Sequence, residues 1–167
     1  MSSVDHDVIK QMSTDYAIEQ LAQAHTTARQ PSPVSGETLS EIESELGVVL
    51  PNDLRGISSF LGGDYVGGIE HTDIALHPPN CNIVDSTLAL RKSHGVPTNY
   101  VVLTEMPLST IVLETASTAD VDTRVVWLDD SDIPLLSAET PDDRFHKVFH
   151  SCKELFVDLL KEEGAEL

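Results

Sequence analysis

The sequence predicts an α+β fold: a twisted, mainly antiparallel sheet of about four to six strands, with N-terminal, middle and C-terminal helices packed against it. Three observations predict it. Tyr100–Thr104, Thr110–Thr115 and Thr123–Asp129 are β-branched runs of strand length. The connections between them are too short for parallel crossovers and suit hairpins. Segments of helical period lie before and after these runs, all but the first closed by glycine.

Taken in order, residues 4–28 carry a broad apolar stripe (Val8, Ile9, Met12, Leu21), with Asp5 and Asp7 placed to favour a helix dipole. The stretch from Thr26 to Ser35 is polar, holds two prolines and reads as a linker. Leu39, Ile42 and Leu46 then mark one face of a helix. Thr38 with Glu41 has the form of a capping box, and Ser35 is a competing N-cap. Gly47 ends that helix, Pro51 suits the first turn of the next, and Leu54, Ile57 and Leu61 form its face before Gly62 and Gly63.

Asp64–Gly68 reads as a turn or short strand and Glu70–Leu76 as a strand, broken by the prolines of His77–Asn80. A helix follows over 82–94, with Asn82 or Asp85 as cap, Ile83, Leu88 and Leu90 as apolar residues and Gly95 as stop. After the three strand runs, with Pro107–Ser109 and Ser117–Asp122 as connections, Asp129–Leu136 leaves through an acidic turn. Phe145–Phe149 is a last strand. Ser151 and Glu154 form a second capping box before a helix over about 152–163. Trp127 is expected to anchor the contact between sheet and helices, the alternative being an exposed binding anchor. By length the 167 residues form one domain, a core over 33–163 with a helical extension and linker over 1–32.

Charge is the main compositional fact. The chain has 28 acidic and 10 basic residues, a formal net charge of −18. Such a field repels nucleic-acid phosphate and anionic membrane, so direct binding of either is not expected. It is consistent with solubility alone, or with rapid encounter of a basic protein partner. Residues 101–167 hold 15 acids against 5 bases, which makes this third the expected source of a negative patch. The candidate partner-binding residues are Asp120 and Asp122 in one connection, Asp129, Asp130 and Asp132 at a strand end, and Asp142 and Asp143 in the next loop.

Phosphate loops, dinucleotide fingerprints, nucleophile elbows and zinc-protease motifs are absent from the sequence. Two histidine groups have permissive metal spacing: His71, Asp73 and His77, and His146, His150 and Cys152. Seven histidines in an acidic chain produce such pairs by chance, so no metal, cofactor or catalytic residue is expected. Cys81 beside His77 offers a nucleophile reading without a placed helix N-terminus to lower its pKa. With two cysteines, no signal-peptide pattern and no long apolar run, a cytoplasmic, soluble protein is expected.

The order Leu39–Glu43–Leu46–Gly47–Leu50–Pro51, then a short helix closing on Gly62–Gly63, resembles the N-terminal signature of the SUKH superfamily of cell-wall-assembly-regulator-like proteins. The later order, a middle helix, a tryptophan-bearing strand and a Ser-capped final helix, extends the resemblance over about 33–162. It implies an α+β domain without catalytic residues. Many relatives are immunity proteins of bacterial polymorphic toxin systems. The resemblance therefore implies an immunity protein that binds a cognate secreted toxin with a basic surface, a nuclease being one such toxin class, and occludes it sterically and electrostatically. The alternative is a non-catalytic regulatory or scaffold interaction domain.

Overall fold

In the computed structural model the structure describes residues 34–59, 62, 64–66, 69–76 and 82–162. The helix expected over 4–28, nearly all of its linker, Leu61, Gly63, His77 and Cys81 lie outside the described residues. The β-branched runs pair in chain order. Tyr100–Met106 (β3), Ser109–Glu114 (β4), Val125–Asp129 (β5) and Lys147–Phe149 (β6) form an antiparallel four-stranded sheet of order β3-β4-β5-β6. A separate antiparallel pair joins β1 (Asp64–Val66) to β2 (Ile69–His71). The expected strand over Glu70–Leu76 is cut short. After His71 the backbone turns, Thr72 N–H donates to Leu103 O at 2.9 Å, and Asp73 makes an isolated parallel bridge to Asn82.

Strand alternation splits the apolar residues between two faces. Val101, Leu103, Ile111, Leu113 and Val125 join one core cluster. That face is covered by α1 (Gly36–Leu46), α2 (Asn52–Ser58) and α4 (Cys152–Glu162), through Leu39, Ile42, Leu46, Leu54, Ile57, Leu155 and Phe156. Val102, Val112, Val126 and Leu128 point the other way and meet Ile133, Leu136 and Phe145. Each such side chain, fully buried, contributes roughly 1.5–3 kcal/mol. The second cover is a difference from expectation. The acidic turn after β5 is a 3-10 helix over Asp130–Ser137 whose Ile133 and Leu136 reach back onto the sheet.

The middle helix α3 (Ile83–His94) runs beside edge strand β3, where Thr87 Oγ1 accepts the Val102 N–H at 3.0 Å. A register shift between Val102 and Thr104 interrupts β3 there. Thr87 on one side and Thr72 on the other thus satisfy backbone groups of an irregular edge that would otherwise be open to strand addition. Leu88, one of the apolar residues expected to hold α3, is instead 42% exposed.

Helix ends follow the sequence with two adjustments. Ser35, not Thr38, is the N-cap of α1, its Oγ accepting the Thr38 N–H at 3.1 Å. Pro51 stands at the N-cap of α2 rather than in its first turn. Gly47 and Gly95 end α1 and α3 in the left-handed conformation, at φ 67° and 73°. Ser151 Oγ accepts the Glu154 N–H, and the Glu154 carboxylate returns to the His150 N–H, one residue before the partner an ideal capping box would use.

Candidate partner-binding surface

The four-stranded sheet has two ends, and they separate the acidic residues. At one end β3 turns into β4. Met106 pairs with Ser109, leaving Pro107 and Leu108 as a two-residue loop, and Ser109 pairs with Asp129. Asp129 is exposed there. Asp130 is half-buried and works inside the fold: its N–H donates to Leu108 O at 3.0 Å, and its carboxylate accepts from Thr110 Oγ1 at 2.6 Å. Asp132 is half-buried with no ion pair among the described residues.

At the other end lie the start of β3, the end of β4 and the start of β5. Asp120 and Asp122 are exposed in the β4–β5 connection. Asp142 joins this end rather than the first. The 3-10 helix carries the chain back along the sheet, and Asp142 Oδ1 meets Arg124 Nη1 at 3.1 Å. Arg124 also reaches Glu114 at 3.2 Å and donates to the Tyr100 hydroxyl at 2.8 Å. Burial pushes the Tyr100 phenol above its ordinary value, against the hydrogen bond from Arg124. Asp143 is exposed beside this network. The five-residue β5 separates the two ends by ~13 Å at a strand's rise per residue. The seven candidate aspartates therefore form no single patch; Asp129, Asp130 and Asp132 are brought together, and Asp142 is held apart from them.

A second acidic feature was legible in the sequence and not singled out there. Glu37, Glu41 and Glu45 recur every four residues along the exposed side of α1, opposite Leu39, Ile42 and Leu46. α1 has no basic residue in its last turn, so the Glu45 charge lies unfavourably against the helix dipole. Four of the described cations are engaged elsewhere, while Lys92 and Arg144 are exposed without an ion pair among the described residues. Arg55 pairs with Glu43, Lys147 with Asp158 at 2.6 Å, and Arg124 with Glu114 and Asp142. Arg91 donates to the carbonyls of Leu46, Thr98 and Tyr100, and burial lowers its pKa.

Arg91 thereby ties together the walls of a shallow, open groove of about 520 Å³ between the end of α1 and the Thr98–Asn99 and Thr115–Ser117 turns. Its one titratable lining residue is Glu43, already paired with Arg55.

Residues weighed for chemistry have structural surroundings. His71 is buried, hydrogen-bonded to Thr104 Oγ1 at 2.8 Å and tilted against the Phe156 ring. His146 is exposed and lies on Trp127 with ring centroids 4.7 Å apart. Trp127 itself is half-buried on the helix-covered face, so it anchors that contact while keeping one edge in solvent. Cys152 is fully buried, and burial together with the Asp53 carboxylate pushes its thiol well above the ordinary range, away from thiolate reactivity. Among the described residues no three His, Cys, Asp or Glu side chains converge as metal ligands, and no helix is long and apolar enough to cross a membrane.

One more buried acid escaped the sequence reading. Asp53, 7% exposed, accepts the Lys153 N–H at 3.0 Å and the Leu54 N–H at 2.8 Å. It caps α4 from α2, a hundred residues away, and nothing local in the sequence signals that pairing.

A protein-family model, SUKH_5, described as SMI1-KNR4 cell-wall, matches residues 6–142. No curated protein matches the chain.

Proposed function

The chain belongs to this SMI1-KNR4 cell-wall family, and from that premise we propose that it is an immunity protein, acting in the cytoplasm of the producing cell. It binds a cognate toxin with a basic surface and neutralises it by covering that surface, without chemistry of its own. A nuclease is the toxin class best matched, because a site that grips phosphate is basic. One observation carries this reading: among the described residues, exposed acids without an ion pair outnumber exposed cations without one, which are Lys92 and Arg144. Glu37, Glu41, Glu45 and Asp129 face solvent without an ion pair among the described residues, while Arg55, Arg124 and Lys147 are each paired with a carboxylate. In a chain of net charge −18 this leaves a field that accelerates encounter with a cationic protein and rejects nucleic acid.

The test is co-expression with the toxin domain encoded beside this chain. Rescue of growth, a co-purifying complex and an association rate that falls steeply with added salt are expected. The double reversal Asp129→Lys, Asp132→Lys is expected to slow association while leaving the unfolding transition in place. Asp130 is left intact because its carboxylate holds Thr110. No rescue and no complex would overturn the proposal and leave the regulatory interaction domain as the better reading.

A further inference from the structure

The tightest turn of the sheet breaks two local rules at once. Two-residue hairpins favour turns with positive φ at the first loop position, because their twist matches that of the strands. Pro107 stands at that position and its ring holds φ negative. The second position, Leu108, has φ +69°, the one non-glycine residue with positive φ among those described. In this geometry glycine or asparagine is free of the strain that a leucine Cβ meets.

Among the described residues no packing of the Leu108 side chain offsets that strain. The Leu108 side chain is 83% exposed, the most exposed large apolar residue among those described. Its carbonyl is held by the Asp130 N–H, and Asp130 is held by Thr110, so the tip is a fixed projection rather than a loose loop. Exposed acids flank it on both sides: Glu105, paired with Thr110, and Asp129, paired with Ser109.

We infer that Leu108 is the apolar anchor of the partner interface, inserted into a small hydrophobic socket bordered by lysine or arginine on the toxin. The inference rests on the immunity reading and adds the residue on which affinity depends. The acids choose the occupant. A second copy of this chain would bring the same negative charge to the contact, and an anionic bilayer would be repelled by Glu105 and Asp129. A socket with a basic rim satisfies both the leucine and its neighbours. A fixed, 83% exposed aliphatic side chain flanked by acids can seat as a central apolar contact that sets the dissociation rate, with the charged rim setting the association rate.

Leu108→Gly and Leu108→Asn separate the anchor from simple tolerance of strain. Asparagine also accepts the left-handed conformation and keeps a side chain, which controls for loosening of the tip by glycine. Both variants are expected to raise the thermal unfolding midpoint. Both are also expected to weaken binding of the co-encoded toxin domain about 10- to 100-fold, through faster dissociation at an unchanged association rate. Opposite movement of stability and affinity is the signature sought. Unchanged affinity in both variants, with Asp129→Lys, Asp132→Lys still slowing association, would overturn the anchor and leave the immunity reading standing. Absence of any complex with the unaltered chain would overturn both. A lowered unfolding midpoint in both variants would overturn the strain on which the inference is built.

Discussion

Replacing Asp53 with alanine tests whether a single carboxylate joins the two ends of the described chain. Two effects oppose each other. Removing the side chain relieves the cost of burying a carboxylate, the leading reason its pKa is raised above the usual 3.8, with the nearby Asp122 charge adding to it. It also strips acceptors from the Lys153 and Leu54 N–H groups, and from the Cys152 N–H that the same carboxylate serves. A buried donor left without a partner costs about 1–3 kcal/mol, and loss of an N-cap about 0.5–2 kcal/mol. With Cys152 fully buried, water cannot replace the lost acceptor, so the orphaned donors win. The expected loss is about 2 kcal/mol. At a urea dependence of about 2 kcal/mol per molar, the midpoint falls by roughly 1 M. Asp53→Asn keeps one acceptor and is expected to lose about half as much. The pH dependence has a definite sign. A carboxyl whose folded pKa is raised contributes most below the unfolded value of 3.8, and that contribution is lost as pH rises through the folded pKa. The stability of the native chain minus that of Asp53→Asn should therefore fall across this window. An unchanged midpoint for Asp53→Ala, or a difference that rises with pH, would refute the reasoning.

Two further substitutions probe the scaffold. Thr87→Val keeps the volume of the side chain and removes the acceptor of the Val102 N–H, so urea unfolding should show a loss of about 1–3 kcal/mol. Gly47→Ala meets nothing within 4 Å of the added carbon, so only the left-handed backbone resists it. About 1 kcal/mol should be lost, seen as a fall of roughly 3 °C in the unfolding midpoint.

What the sequence made legible was local. Gly47 and Gly95 stop helices because a left-handed residue needs no contact from elsewhere, and Asn82 and Ser151 cap theirs through neighbours three residues away. The runs around Val102, Val112 and Val126 pair as expected because β-branched alternation and short connections leave few other arrangements. Long-range effects were not legible. Asp53 meets Lys153 only in the folded chain. The segment Asp130–Ser137 reads as a turn because Pro134 and two acids, Asp130 and Asp132, hide a helical spacing, yet Ile133 and Leu136 are three apart and fall together in a 3-10 helix. Leu88 counts among the apolar residues of α3 but faces solvent, because at 3.6 residues per turn it lies about 140° from Ile83 and about 160° from Leu90, off the buried side.

That 3-10 helix also explains how the acidic third of the chain divides its work. Strand ends in an antiparallel sheet would allow some of these acids to share one edge. The helix instead returns the chain along the sheet, so Asp142 arrives beside Arg124 and Glu114. There a cation answers the charge, and the network closes around Tyr100. At the hairpin end Asp129 has no such answer among the described residues, and Glu105 stands exposed across the sheet from it. Counting acids by segment gave both ends equal standing. Counting which acids already have a partner separates them: Arg124 takes up Glu114 and Asp142 and leaves Asp120, Asp122 and Asp143 exposed at its end, while Asp129 and Glu105 stand exposed without an ion pair among the described residues beside Leu108. Discharging the Arg124 network with Arg124→Met would therefore release Asp142 and Glu114 at the end of the sheet where Val121, 49% exposed against the 83% of Leu108, is the exposed apolar residue among those described.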